Sequence, residues 1–162
     1  MNYSSDSRAN PPFRPTLRGC VARNPQLARA FSGIYQHTLY EVAAMTYRSL
    51  IAETTDHGAA RLFDEIAIDA AEHFRLLGDL ILALGADPCI QVNLCVEHAP
   101  RQKSAFSNFV IQMISDAKQE KKRSIDRLQT IMGKSADRVV RSVLSHLLDD
   151  ESRHLAALEA FS

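Results

Sequence analysis

Four stretches of this chain carry apolar residues at the three-to-four spacing of a helix, and no segment alternates as a strand would. The first runs from Asn24-Pro25 to about Thr54 through Ile34, Thr38, Glu41, Ala44, Met45 and Ile51. Asn can accept from orphan amides there, and proline suits the first helical position. Asp56-His57-Gly58 interrupts, and a second helix follows through Leu62, Ile66, His73, Leu77 and Leu80 to Leu84. Gly85 and Asp87-Pro88 mark its end. A third helix is predicted from about Gln102 to Met132, closed by Gly133, with Phe106, Val110, Met113, Ala117, Lys121, Ser124, Leu128 and Ile131 on its seam. Ser135 is expected to cap a fourth, whose seam reads Val140, Leu144, Leu147, Glu151, His154, Leu158 and Phe161. Residues 86–101 make one long connection, the length that returns a chain from one end of a helical pair to the other. The fold expected is an all-α, antiparallel four-helix bundle with one long crossover between helices two and three.

The 162 residues suit one domain, with a flexible, Pro-rich arm over 1–23 and the bundle over 24–162. Nineteen basic residues balance nineteen acidic ones. No basic excess exists to release counterions from a phosphate backbone, so no nucleic-acid partner is expected. Lys118-Gln-Glu-Lys-Lys-Arg123 reads as a solvated helix face. No apolar run approaches the roughly 18–20 residues of a membrane span, and the start does not read as a secretory signal. Cys20, Cys89 and Cys95 are an odd number outside metal-ligand spacing, which fits ordinary thiols in a reduced, cytoplasmic setting.

The informative residues are polar ones on apolar seams. Glu41, His73, Lys121, Glu151 and His154 each fall near the middle of a predicted helix, so one layer of the interior can hold all five. Singly, each has a plain structural reading, such as a hydrogen-bonded core histidine. Together they must pair or hold a metal, because an isolated buried charge costs several kcal/mol. Glu151-Ser-Arg-His154 sets a carboxylate and an imidazole three residues apart on one helical face, a spacing able to bind one ion.

Three stretches carry a resemblance. Ile66 to Pro88, with its histidine and closing Leu-Gly-Ala-Asp-Pro, is similar to the second helix of the ferritin-like superfamily. Tyr40-Glu-Val-Ala-Ala-Met-Thr-Tyr47 and Leu148-Asp-Asp-Glu-Ser-Arg-His154 resemble its first and last helices. The resemblance is particularly to the bacterial rubrerythrin-like and manganese-catalase-like bundles, over about residues 25–161. The resemblance implies two metal ions held by four carboxylates and two histidines. It places Glu41, His73, Glu151 and His154 as ligands. Two positions depart: Ala70 stands where a bridging Glu is expected, and Lys121 stands on the third-helix seam, with Glu120 one step away. One step along a helix turns a side chain by about 100°, so Glu120, Asp69 and Glu72 are expected to point elsewhere.

Two outcomes follow from those departures. Glu41, His73 and Glu151 hold a single ion (Fe, Mn or Zn), or the Lys121 ammonium fills the space and pairs with Glu41 and Glu151, each Glu also meeting a histidine. The second is the preferred expectation, because Lys121 has little other reason to lie on an apolar seam. The function expected is a bundle with an incomplete dimetal centre, non-catalytic or binding at most one ion. The alternative is a metal-dependent oxidoreductase: an iron oxidase, a peroxidase or a manganese-catalase-like enzyme. The family's habit of pairing bundles implies a homodimer.

Overall fold

Helices in this molecule begin where a side chain can take up the amides that the first turn leaves unbonded. A computed structural model describes Leu17, residues 20–89 and residues 106–161. The helices are α1 (Pro25–Ala52), α2 (His57–Ala83), α3 (Phe106–Lys134) and α4 (Arg138–Ala160). Asn24 Oδ1 accepts from the Leu27 amide at 3.0 Å, with Pro25 in the first turn. Asp56 Oδ1 accepts from Gly58 and Ala59, both at 3.0 Å. The cap of α4 is Asp137 and not Ser135: Asp137 is extended, and its Oδ1 accepts from Val139 at 2.8 Å and Val140 at 3.1 Å. Ser135 is buried, and its hydroxyl has no hydrogen-bond partner.

Helix ends follow the sequence less uniformly. Gly85 has φ +89°, and the Ala86 amide reaches back to the Ile81 carbonyl at 3.2 Å, so α2 closes through a left-handed residue that glycine adopts without a Cβ clash. Gly133 makes no such closure; α3 continues through it to Lys134. The Asn24 amide donates to the Leu84 carbonyl at 3.0 Å, tying the start of α1 to the end of α2.

The packing partners are α1 with α2 and α3 with α4, with lighter contacts of α2 on α4 and of α1 on α3. Two apolar clusters fill the interior. One holds Phe31, Leu76, Leu80, Leu84, Leu128, Val140, Leu144 and Leu147, and Leu17 and Val21 pack into it from before α1. The other holds Met45, Ala52, Phe63, Ile66, Val110, Met113 and Leu158. Each fully buried large side chain contributes about 1.5–3 kcal/mol relative to an exposed one. Because α2 and α3 both run from the second cluster to the first, they point the same way, as a one-crossover bundle requires. Residues 90–105, Cys95 among them, and residues 1–16, 18, 19 and 162 lie outside the described residues, and with them most of the expected connection and of the expected arm. Among the described residues no helix is long and apolar enough to cross a membrane.

The clusters do not meet along the helices. Between their residues fall Thr38 and Glu41 on α1, Ala70 and His73 on α2, Lys121 and Ser124 on α3, and Glu151 and His154 on α4. All but Ala70 are polar, and all are buried. The four-helix arrangement thus builds a polar layer at mid-height.

Candidate functional site

Lys121 stands at the centre of that layer with no solvent exposure. Its ammonium donates to Glu151 Oε1 at 2.8 Å and is ion-paired with Glu41 Oε1. The seam of α3 aims the stem inward between Ala117 and Ser124, and α1 and α4 bring one carboxylate each from opposite sides. Burial pulls the Lys121 pKa down, but the two carboxylates outweigh it and hold the amine above its ordinary value. Burial likewise pushes Glu151 up, and Lys121 reverses this, aided by His73 and the Ser124 hydroxyl, leaving the carboxyl below its ordinary value. Both groups are therefore charged at neutral pH, each stabilised by the other in a medium that would neutralise either alone.

The histidines go elsewhere than expected. His73 Nδ1 faces Glu151 Oε1 at 3.7 Å, and its Nε2 sits 3.1 Å from Asp150 Oδ2. His154 meets neither Glu: its Nε2 lies 2.8 Å from Asp69 Oδ2. Arg153 joins the two aspartates, donating to Asp150 Oδ1 at 2.8 Å and to Asp69 Oδ2 at 3.0 Å. The groups form one chain running Glu41, Lys121, Glu151, His73, Asp150, Arg153, Asp69, His154. It starts at a fully enclosed amine and emerges at Arg153, whose side chain is 58% exposed. Asp69 is held below its ordinary value chiefly by the His154 hydrogen bond, against the effect of burial. Burial raises Asp150, but His73 and Arg153 bring it well below the carboxylate range.

Sequence reasoning brought Glu41, Lys121 and Glu151 to one point and placed His73 beside them. It missed Asp69, Asp150 and Arg153. Asp69 was expected to point away; although off the seam, it borders α4 and reaches His154 there. The spacing signals one of these contacts alone: Asp150 is three residues before Arg153, from which it accepts, whereas the partners of Asp69 lie on α4. Glu72 does point away, pairing with Arg75 at the surface. Glu120 leaves the layer for a two-pronged ion pair with Arg48 at 2.8 and 2.9 Å.

These residues do not fit a pair of divalent ions. An ammonium lies between the two glutamates that would bridge or flank them, Ala70 offers no oxygen, and each Nε2 is committed to an aspartate. Among the described residues no three His, Cys, Asp or Glu side chains are grouped as a metal ion requires. Within the layer two buried side-chain atoms have no hydrogen-bond partner, Glu151 Oε2 and His154 Nδ1.

A bundle of four helices with one crossover and a polar mid-layer of glutamates and histidines defines a class that comparison with protein families identifies. A family model, the ferritin-like domain, matches residues 24–162, and the chain belongs to that family. No curated protein matches the chain.

Proposed function

We propose that this protein is a non-catalytic member of the ferritin-like family in which a buried ion-pair layer stands in place of a dinuclear metal centre of the rubrerythrin or manganese-catalase kind. The observation that supports this is the Lys121 ammonium enclosed between Glu41 and Glu151. One amine supplies a single positive charge where two divalent ions would supply four. The remaining acids of the layer find Arg153 and the imidazoles instead. The working form is a cytoplasmic homodimer whose scaffold, without nucleic-acid or membrane partners, serves structure or interaction.

The test is metal loading. Protein incubated with Fe(II) or Mn(II), then desalted, takes up no stoichiometric pair of ions by elemental analysis; two ions per chain overturn the proposal. Ala70→Glu combined with Lys121→Glu restores the missing carboxylates and removes the amine, so it gains metal uptake. No gain would place the family's site elsewhere.

A second reading has one observation in its favour. Glu151 Oε2 and His154 Nδ1 are buried and unpartnered on the same helical face, which suits a single Fe, Mn or Zn ion and, with it, a modified oxidoreductase. One ion per chain, abolished by Glu151→Gln, would select it.

A further inference from the structure

Helices α1 and α3 touch lightly, and toward the start of α1 they leave a groove of about 450 Å³ between them. That is the size of a small-molecule site, which usually encloses about 300–1,000 Å³. Ala30, Ile34 and Ile131 give it apolar walls, and both isoleucines are buried. Thr130 also lines it, but its hydroxyl already donates to the Asp126 carbonyl at 2.8 Å, which leaves that proton spent. The charged groups of the lining are Arg127 and Asp126.

Gly33 completes the lining from inside α1, where glycine is the poorest helix former after proline. A Cβ built on it would meet nothing within 4 Å, so no contact within the chain calls for a glycine there. What the missing side chain does is leave the space between the helices free. Helix propensity is given up at a position where the gain is an open groove.

Charge selects what the groove takes. From Pro25 to Tyr40 α1 carries no acid, and from Ser124 to Lys134 α3 carries Asp126 alone. Against that one acid stand Arg127 in the lining, Arg29 four residues before Gly33, Arg123 four before Arg127, and Lys134 four after Thr130. Residues four apart share a helical face, so these cations rim the groove. Among the described residues none of the four has an ion pair or a hydrogen bond through its side chain. Arginine presents a planar fork that matches a carboxylate in two-pronged fashion. The groove is short, since Ala30 to Ile34 covers about 6 Å of helix axis, and it therefore suits a compact tail.

We infer that the groove between α1 and α3 binds a free small-molecule carboxylate with an aromatic or short aliphatic tail. Its carboxylate pairs with Arg127, and its tail lies over Gly33 against Ile34 and Ile131. The site shares no residue with the ion-pair layer, so it stands whether or not that layer takes a metal.

Calorimetric titration of the full chain with phenylbutyrate tests it. Binding saturates at one site per chain with a dissociation constant of about 1 mM or below, as a ligand of this size allows. Butyrate, which has the head without the ring, does not saturate. Phenylbutylamine, which has the ring with the opposite charge, binds at least about tenfold more weakly. Gly33→Leu fills the groove and abolishes saturation, with the melting temperature unchanged or higher. Arg127→Met keeps the wall and weakens phenylbutyrate at least about tenfold, whereas Ile111→Ala, at an exposed position elsewhere on α3, binds as the parent does. Failure of phenylbutyrate to saturate, equal binding of the amine, or parent-like binding by Gly33→Leu or Arg127→Met overturns the site.

Discussion

Replacing Lys121 by methionine keeps most of the stem's volume and removes the one positive charge shared by Glu41 and Glu151. The lysine is fully enclosed, and the two glutamates are 5% and 2% exposed, so water cannot take the place of the amine. Removing one partner of a buried pair costs about 3–5 kcal/mol, because the remaining charge is left uncompensated. Here two like charges remain. In a chain of this size about 1 kcal/mol moves the melting temperature by roughly 2–4 °C, so the variant melts some 6–20 °C lower. Urea unfolding followed by circular dichroism gives the free energy directly, with the m-value unchanged if the native state stays compact. The penalty also carries a pH signature. Without the amine, burial and mutual repulsion raise both carboxyl pKa values above their unfolded ones. Stability is then present below the unfolded pKa and lost as pH rises through the folded one, so the variant suffers less at about pH 5 than at about pH 8. Adding Glu41→Gln and Glu151→Gln removes the stranded charges and recovers most of the loss. A single Lys121→Met variant within about 1 kcal/mol of the parent at pH 7, with no pH dependence of the difference, would refute the reasoning.

Other expectations rest on single contacts. Glu151, Asp69 and Asp150 have depressed folded pKa values, so their stabilisation is present above about pH 4 and lost as pH falls through the folded values. Asp150→Asn therefore lowers the urea midpoint at pH 7 and flattens its dependence on pH below about 4; parallel curves for parent and variant would contradict this. Asp137→Ala removes the acceptor of two amides at the start of α4 and costs about 0.5–2 kcal/mol by chemical unfolding, whereas Ser135→Ala costs less. A Cβ at Gly78 would lie 3.3 Å from the Tyr35 ring, which is stacked on Phe74 at 4.2 Å between centroids and has little room to yield. Gly78→Ala thus destabilises despite a helix-propensity gain of about 1 kcal/mol, and a higher melting temperature would show that the ring moves. The Arg48–Glu120 pair is two-pronged and partly buried, and a double-mutant cycle on it gives at most about 1 kcal/mol.

The bundle was legible because its signals are local. Asn24-Pro25, Asp56 and Gly85 act within one turn of the chain, and the seams need only a count of three and four. Where capping went to Asp137 instead of Ser135, both residues were competent acceptors, and the choice depended on where α4 has to start to meet α3. Lys121 could be placed because a charged residue in the middle of an apolar stripe has no solvent to reach. The aspartates could not, since Asp69 and Asp150 sit at helix edges. Whether an edge residue faces water or a neighbour depends on how α2 and α4 approach, which no spacing within one helix encodes. The pairing of His154 with Asp69 was lost for the same reason. The overall set of acids and imidazoles was readable, and the wiring among them was not.

The polar layer divides its charges unevenly between the two hairpins. Glu41, Asp69 and His73 come from the first, with no cation of their own in the layer, while Lys121 and Arg153 both come from the second. In an isolated first half those acids stand in water; docking onto the second half is what buries them, at the same step that brings Lys121 to Glu41 and Arg153 to Asp69. Docking of the hairpins and closure of the ionic chain then coincide, and loss of the lysine during divergence calls for loss of its acids or for another cation in its place.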